Sequence, residues 1–195
     1  GTEALYTMMK AGAEGTSTPL HVNAGIDSCM IHGRVSSKPL AAGDLVVVDL
    51  TPQLEGYGAN LARTFVVGKP DDTQQKLLET YAEMVEATRQ MLRPGVRVRD
   101  LDARGGEICE AHGLAEYHLE GISHGIGLRF EETPASTIIK QHRNVEIQAG
   151  MTMTIGHTIL AIPGVGGVRD EDLYFVTPDG GEILSPYPPS IELLD

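Results

Sequence analysis

The sequence is poor in positive charge and in long apolar runs, and each shortage excludes a class of protein. Only 15 Lys and Arg residues stand against 27 Asp and Glu residues, which gives a net charge of −12. Such a chain lacks the basic face with which proteins bind nucleic acids and anionic membranes. No apolar run approaches the ~18–20 residues of a membrane-spanning helix, and no signal segment opens the sequence. We therefore expect neither nucleic acid nor membrane as a partner.

Cysteine is also scarce. Cys29 and Cys109 lie far apart and form no CxxC pair, so the sequence predicts neither a zinc ribbon nor a disulfide framework. Two separate thiols fit the reducing cytoplasm, where we expect the protein to be located. A chain of 195 residues is long enough for one domain with its own core.

Apolar periodicity predicts helices and strands in the same domain. Helices are predicted at residues 2–13, 73–92 and 100–112, with Asp100 near the start of the third. Strands are predicted at residues 44–50, 61–67, 151–162, 168–177 and 182–184. The first two strands flank a turn at residues 54–58 and should pair as a hairpin. We predict a single α+β domain, residues 1–195, with antiparallel or mixed strands.

A faint internal repeat accompanies these elements. A helix, a loop bearing a histidine and an apolar strand occur in this order near residues 2–50 and again near residues 99–160. The pattern indicates either two pseudo-symmetric halves or a coincidence between two short helices. A long helix precedes only the second copy, so in a symmetric domain the chain would begin one helix late.

A few polar residues stand out against the apolar strands. Asp49 lies near the end of a buried strand, where a carboxylate must be paired, hydrogen-bonded or metal-bound. Arg63 on the next strand is a candidate partner. His124 is followed by Gly125-Ile126-Gly127, whose glycines allow close approach of a ligand or another strand. His32 and Glu171 are further candidates. Each of these residues has a purely structural interpretation as well.

Five segments, in order, resemble the pita-bread superfamily of methionine aminopeptidase, Xaa-Pro aminopeptidase, prolidase and creatinase. They read GDLVVVD from Gly43, GYGANLARTF from Gly56, HGIGLRFEETP from His124, GMTMTI from Gly150 and GVRDED from Gly167. The Xaa-Pro peptidase and creatinase branch fits better than methionine aminopeptidase. The resemblance implies a pita-bread fold, in which pseudo-twofold halves surround a curved antiparallel or mixed sheet.

The resemblance also implies a site, because the peptidases of this superfamily bind two divalent metals through two Asp, one His and two Glu. Asp49, His124 and Glu171 match three of these five ligands. The second Asp is replaced by Asn60 and the first Glu by Gly156. Asparagine offers one neutral carbonyl oxygen and glycine offers no ligand at all.

Further residues follow from the same motifs. His32 matches a substrate-contacting histidine, and Glu131 stands where the family has a second histidine. We expect His32, His124 and Glu131 to be the catalytic residues. His157 is a candidate replacement ligand. Arg63 and Arg169 are expected to support the site.

Two carboxylates cannot neutralise two divalent ions, so we expect no metal or one weakly bound Mn, Co or Zn ion. This degenerate site implies binding, or metal-independent C–N hydrolysis, of a small amino-acid derivative or peptide. One alternative is an active metal-dependent Xaa-Pro dipeptidase or aminopeptidase with relocated ligands. Another is a non-catalytic protein-interaction module. The N-terminal domain and first helix of the family are not in the sequence, so we expect an exposed apolar face that another chain covers. This chain could be a second copy, in a dimer or other homo-oligomer, a different chain, or a missing N-terminal segment.

Overall fold

The computed structural model describes residues 1–188 and the backbone of residues 193–194, and it confirms the α+β class. The helices are α1 (Thr2–Lys10), α2 (Asp72–Met91) and α3 (Val98–Ala111). The strands are β1 (Gly15–Thr16), β2 (His21–Ala24), β3 (Leu45–Leu50), β4 (Pro52–Leu54), β5 (Tyr57–Gly58), β6 (Leu61–Val67), β7 (Thr152–Ile155), β8 (Leu160–Ile162), β9 (Gly166–Val168), β10 (Asp172–Thr177), β11 (Gly180–Ile183) and β12 (Leu193–Leu194). Short 3-10 helices occupy Gly25–Cys29, Ala115–Tyr117 and Lys140–Asn144.

Local capping sets where the longer helices begin. The carboxylate of Asp71 accepts a hydrogen bond from the Gln74 amide at 2.8 Å, and the Gln74 side chain accepts one from the Asp71 amide at 3.1 Å. This capping box starts α2 one residue before the predicted position. Asp100, predicted near the start of α3, lies in its first turn, and its carboxylate accepts from the Arg97 amide at 3.1 Å.

Two units of antiparallel strands surround the site, the first extended by the parallel pairing of β12 with β6 and the second by β11 beside β10. In the first unit β3 pairs with β2 and β6, as the predicted hairpin requires. In the second unit β7 pairs with β10 and, through the hydrogen bond from the Thr154 amide to the His124 carbonyl, with the segment around His124. The units join where Ala62 and Glu171 exchange two backbone hydrogen bonds of 3.0 Å.

The two long strands predicted in the second half were wrong, because each is broken. Gly156 ends β7 with a φ of +99°, which favours glycine. A Cβ atom at this residue would lie 1.9 Å from the Asp170 carbonyl oxygen. The predicted strand at residues 168–177 is likewise interrupted between β9 and β10, and the interruption carries Arg169 and Glu171. The breaks therefore place the candidate site residues.

Helices α2 and α3 pack against the second half and enclose the core. The fully buried side chains include Leu77, Tyr81, Met84, Leu101 and Met153. The Tyr81 hydroxyl lies 2.5 Å from the Gly156 carbonyl oxygen and 2.8 Å from that of Thr158, and so ties α2 to the strand break. In the described part of the chain, no helix is long and apolar enough to cross a membrane.

Candidate functional site

Asp49 and Asn60 face each other across the β3–β6 hairpin. Asp49 is paired in register with Ala62, two residues beyond Asn60. The Asn60 amide donates to Asp49 Oδ1 at 2.8 Å, and both side chains are buried. At the position that resembles a second metal-binding aspartate, Asn60 thus turns its amide group towards Asp49.

Arg169 supplies the positive charge between the two buried acids. Its Nη1 lies 3.3 Å from Asp49 Oδ2, and its Nη2 lies 2.7 Å from Glu171 Oε2. Burial raises the pKa of Asp49, against the influence of Arg169. Burial also opposes ionisation of Glu171, but Arg169 and His157 outweigh it and hold the pKa of Glu171 well below its usual range. We call Asp49, Arg169 and Glu171 the buried ion triad.

Arg63 does not pair with Asp49, contrary to the salt bridge considered from the sequence. Successive side chains of a strand point to opposite faces, so Arg63 lies on the other face of β6 from Ala62. Its Nη2 instead donates to Asp172 Oδ1 at 2.7 Å, and its Nη1 to the Glu171 carbonyl at 3.1 Å. Arg63 therefore supports the backbone that carries Glu171 rather than the carboxylate site itself.

Four imidazole rings form a continuous row towards Glu171. Ring centroids are 5.3 Å apart for His21 and His32, 5.6 Å for His32 and His157, and 4.5 Å for His157 and His124. His32 is exposed, whereas His124 and His157 are buried. This imidazole row connects the surface with the buried ion triad.

Hydrogen bonds determine which ring nitrogens carry protons. His124 Nδ1 lies 2.8 Å from the Gly125 carbonyl oxygen and must donate to it, while Nε2 lies 3.5 Å from Glu171 Oε1. His157 Nδ1 lies between Arg169 Nη2 at 2.8 Å and Glu171 Oε1 at 3.2 Å. Burial and the Arg169 charge lower the pKa of His157 to about 3, so its ring is neutral at pH 7.

The imidazole row opens on a cavity of about 240 Å³ lined by His32, Glu131 and His157. Glu131 Oε1 lies 3.7 Å from His157 Nε2, and Glu131 Oε2 accepts a hydrogen bond from the Thr137 hydroxyl. Partial burial, then Arg169, lowers the pKa of His32. A neutral imidazole and a carboxylate therefore face the same small volume, as activation of a water molecule requires.

An adjoining cavity of about 570 Å³ shares His32 and Glu131 and adds Arg34, Arg129 and Phe130. Sequence reasoning did not identify Arg34 or Arg129, since Arg34 lies outside the five motifs and Arg129 occupies a motif position to which the resemblance assigns no role. The signal that could have found them is their proximity in sequence to His32 and Glu131, two residues away in each case.

The residues present do not fit two divalent metals. Asp49 and Glu171 are already neutralised in part by Arg169, which leaves the buried ion triad with one net negative charge. The lost glutamate cannot be restored on this backbone, because a side chain at Gly156 would collide with the Asp170 carbonyl. Of the expected catalytic residues, His32 and Glu131 face the cavity, whereas His124 is fully buried behind His157.

Comparison with known proteins agrees with the fold and with the motifs. A profile of Metallopeptidase family M24 matches residues 2–178. The Xaa-Pro dipeptidase of Pyrococcus furiosus is 33% identical over 180 residues, covering 92% of this chain and 51% of that protein. The Xaa-Pro dipeptidase of Lactobacillus helveticus is 32% identical over 159 residues, covering 82% of this chain and 42% of that protein.

Among solved structures, the prolidase from Pyrococcus horikoshii OT3 superposes with a TM-score of 0.90 at 30% identity, covering 98% of this chain and 54% of the other. This likeness confirms the expected pita-bread fold. The chain spans about half the length of the relatives that it matches. The match over most of its length, at the level of profile, sequence and structure, shows that the chain belongs to Metallopeptidase family M24.

Proposed function

We propose that the chain hydrolyses a C–N bond in a small amino-acid derivative or short peptide, and does so without the dinuclear metal centre of its family. One observation carries the proposal: His32, Glu131 and His157 line a cavity, while Arg169 occupies the space between the acids of the buried ion triad. Xaa-Pro dipeptidases among the relatives support a peptide-like substrate.

The chemistry follows from the groups that face the cavity. Glu131 accepts a proton from water as the water oxygen attacks the carbonyl carbon of the C–N bond, with His32 on the same cavity beside it. His157 Nε2 carries a proton when Nδ1 accepts from Arg169, so it can donate a hydrogen bond to the oxygen or nitrogen on which charge develops. The C–N bond then breaks, and the leaving nitrogen takes the proton that the base accepted.

The larger cavity supports a substrate with a carboxylate. Its volume of about 570 Å³ lies within the usual range for small-ligand sites. Arg34 and Arg129 line it, and in the described part of the chain neither guanidinium group has an acidic side-chain oxygen within 4.0 Å. Two unpaired guanidinium groups on one cavity of a chain with net charge −12 favour an anionic ligand.

Amide substrates in matched pairs test this proposal. The panel contains Gly-Pro, N-acetylglycine and N-carbamoylalanine, each with its C-terminal amide. We expect hydrolysis of at least one acid, a fall in kcat of at least ~100-fold in Glu131→Gln, and a rise in KM of about 10-fold in Arg34→Gln. Glu132→Gln and Arg93→Gln are the matched controls, since neither residue lines the two cavities. An intact Glu131→Gln rate, or no hydrolysis of the panel, would contradict the proposal.

A specific observation favours a second candidate, a metal-dependent Xaa-Pro peptidase with relocated ligands. Three buried acceptors, Asp49 Oδ2, Asn60 Oδ1 and His124 Nε2, accept no hydrogen bond from the described residues. In that case one ion would be held by His124, His157 and Glu171, whose ligand atoms lie within 4.8 Å of one another. His124→Gln and Glu171→Gln would then abolish metal binding and hydrolysis together.

Location and assembly stay proposals. We infer a cytoplasmic location because Cys29 and Cys109 are both free thiols. We infer a homo-oligomer or a paired chain because Tyr6 and Met9 on α1 are 58% and 51% exposed. Light scattering after gel filtration tests the assembly, and a strictly monomeric mass would contradict it.

A further inference from the structure

His32, Glu131 and His157 form a compact set of ligands outside the positions that the family uses. One ligand atom from each of the three lies within 4.8 Å of the other two. Two imidazoles and one carboxylate are a donor set that zinc and related divalent ions bind in catalytic sites. We call these three residues the outer cluster.

The spacing suits a single ion. Two ligands that each lie ~2.0–2.1 Å from a tetrahedral ion are separated by roughly 3.3 Å. Glu131 Oε1 and His157 Nε2 are 3.7 Å apart, so a small rotation of either side chain brings both onto one ion. The cavity of about 240 Å³ next to them leaves room for a fourth ligand, either water or substrate.

Each member of the outer cluster is backed by a partner that fixes its direction. With an ion on Nε2, the proton of His157 would move to Nδ1 and be donated to Glu171 Oε1, 3.2 Å away, which is the carboxylate support that metal-bound histidines usually have. This hydrogen bond would replace the one that Nδ1 accepts from Arg169 Nη2 when no ion is bound. The Thr137 hydroxyl holds Glu131 Oε2 and leaves Oε1 facing the cavity. Arg169 Nη1 donates to the Ile31 carbonyl at 2.9 Å and so anchors the backbone next to His32.

Charge favours one ion rather than two. The buried ion triad has a net charge of −1, and Glu131 adds a second negative charge beside it. The imidazoles contribute none while they are neutral. One divalent cation neutralises this region, whereas a second would leave two uncompensated positive charges in a largely buried place.

The inner set of His124, His157 and Glu171 is the competing site for that ion. Arg169 already donates to Glu171 Oε2 at 2.7 Å and to His157 Nδ1 at 2.8 Å, so an ion there would lie beside a guanidinium group. All three side chains are also buried, and of the three His157 alone lines the cavity. All three members of the outer cluster line it.

We propose that the outer cluster binds one divalent transition-metal ion of the zinc class, through His32, Glu131 and His157, with a fourth position open to the cavity. The binding of the ion does not depend on the proposed function; only a role of the ion in hydrolysis does. An ion held there would occupy the lone pairs of His32 and Glu131, and it would lower the pKa of a bound water molecule, whose proton would pass to solvent.

Cobalt(II) titration of the chelator-treated full chain, followed by visible absorption, tests the site. We expect one equivalent with the intense bands of four-coordinate cobalt. His32→Gln and Glu131→Gln should each weaken binding by more than ~100-fold, the upper end of what a change outside the ligand sphere costs. His112→Gln, an exposed histidine paired with Glu83, and His124→Gln should leave it unchanged. No binding, two equivalents, or loss of binding in His124→Gln overturns the proposal.

The outcome separates this inference from the proposed function. Cobalt bound as described, without hydrolysis of the amide panel, retains the metal site and refutes the function. Hydrolysis that persists in chelator, with no cobalt bound, retains the function and refutes the metal site. Circular dichroism of each variant shows whether a lost signal reflects unfolding.

Discussion

Replacing Arg169 with methionine leaves Asp49 and Glu171 buried with no counter-charge. At 3.3 and 2.7 Å, with an effective dielectric constant of ~20, each attraction to the guanidinium is about 5–6 kcal/mol. Much of this offsets the cost of removing three charges from water. Removing one partner of a buried ion pair therefore lowers the free energy of unfolding by about 3–5 kcal/mol. A domain is stable by only ~5–15 kcal/mol, so this change is large.

Urea unfolding followed by circular dichroism measures the effect. Arg104→Met is the matched control, because Arg104 pairs with Glu107 at 2.9 Å but the side chains are 44% and 65% exposed. An exposed pair is worth less than about 1 kcal/mol. A loss in Arg169→Met within ~1 kcal/mol of this control would refute the reasoning.

A second variant keeps the test decisive if Arg169→Met does not fold. Asp49→Asn combined with Arg169→Met removes one of the two uncompensated charges. The double variant should therefore be more stable than Arg169→Met alone, by an interaction energy of at least ~1 kcal/mol. A double variant that is no more stable would show that Asp49 and Arg169 are not coupled.

Three further predictions concern backbone, proton binding and thiols. Gly156→Ala should lower the free energy of unfolding, measured in urea, by more than ~3 kcal/mol. Gly150 has a similar φ and no neighbour within 4 Å, so Gly150→Ala should lower it by only about 1 kcal/mol. Equal losses in the two variants would contradict the clash at Gly156. The pKa of His157 is about 3 when folded and ~6.5 when unfolded, so the unfolded state binds the proton first as pH falls. Chelator-treated protein should lose about 2 kcal/mol between pH 8 and pH 5, and His157→Gln should lose less; equal slopes would contradict this. Burial raises the pKa of Cys109 to about 11, so a thiol reagent at pH 8 should modify the half-buried Cys29 first. Modification of both thiols at the same rate would contradict the burial of Cys109.

Local sequence patterns predict the regular elements well. The helix predicted at residues 73–92 is found as α2, Asp72–Met91, because its apolar stripe and its capping residues agree. The antiparallel pairing of β3 and β6 is also confirmed, although the connection between them contains a further pair of short strands, β4 and β5. The strand breaks at Gly156 and Arg169 were missed, because apolar residues continue on both sides of them.

The sequence predicts which residues belong to the candidate site, but not which of their side chains contact each other. The motif resemblance identified Asp49, His124 and Glu171, yet the choice of cation for Asp49 depends on which arginine the tertiary fold brings to it. Arg63 is closer to Asp49 in sequence, but strand alternation places it on the other face. The contact of His32 with His157 joins residues 125 positions apart, and local patterns carry no information about such contacts.

We propose that this member of its family does not bind two metals. Dialysis of the chelator-treated full chain against excess manganese, cobalt or zinc, followed by gel filtration and elemental analysis, measures this directly. We predict at most one equivalent of any of the three ions per chain. Two tightly bound equivalents would show that ligands other than Asn60 and Gly156 complete a dinuclear centre, and would contradict the account.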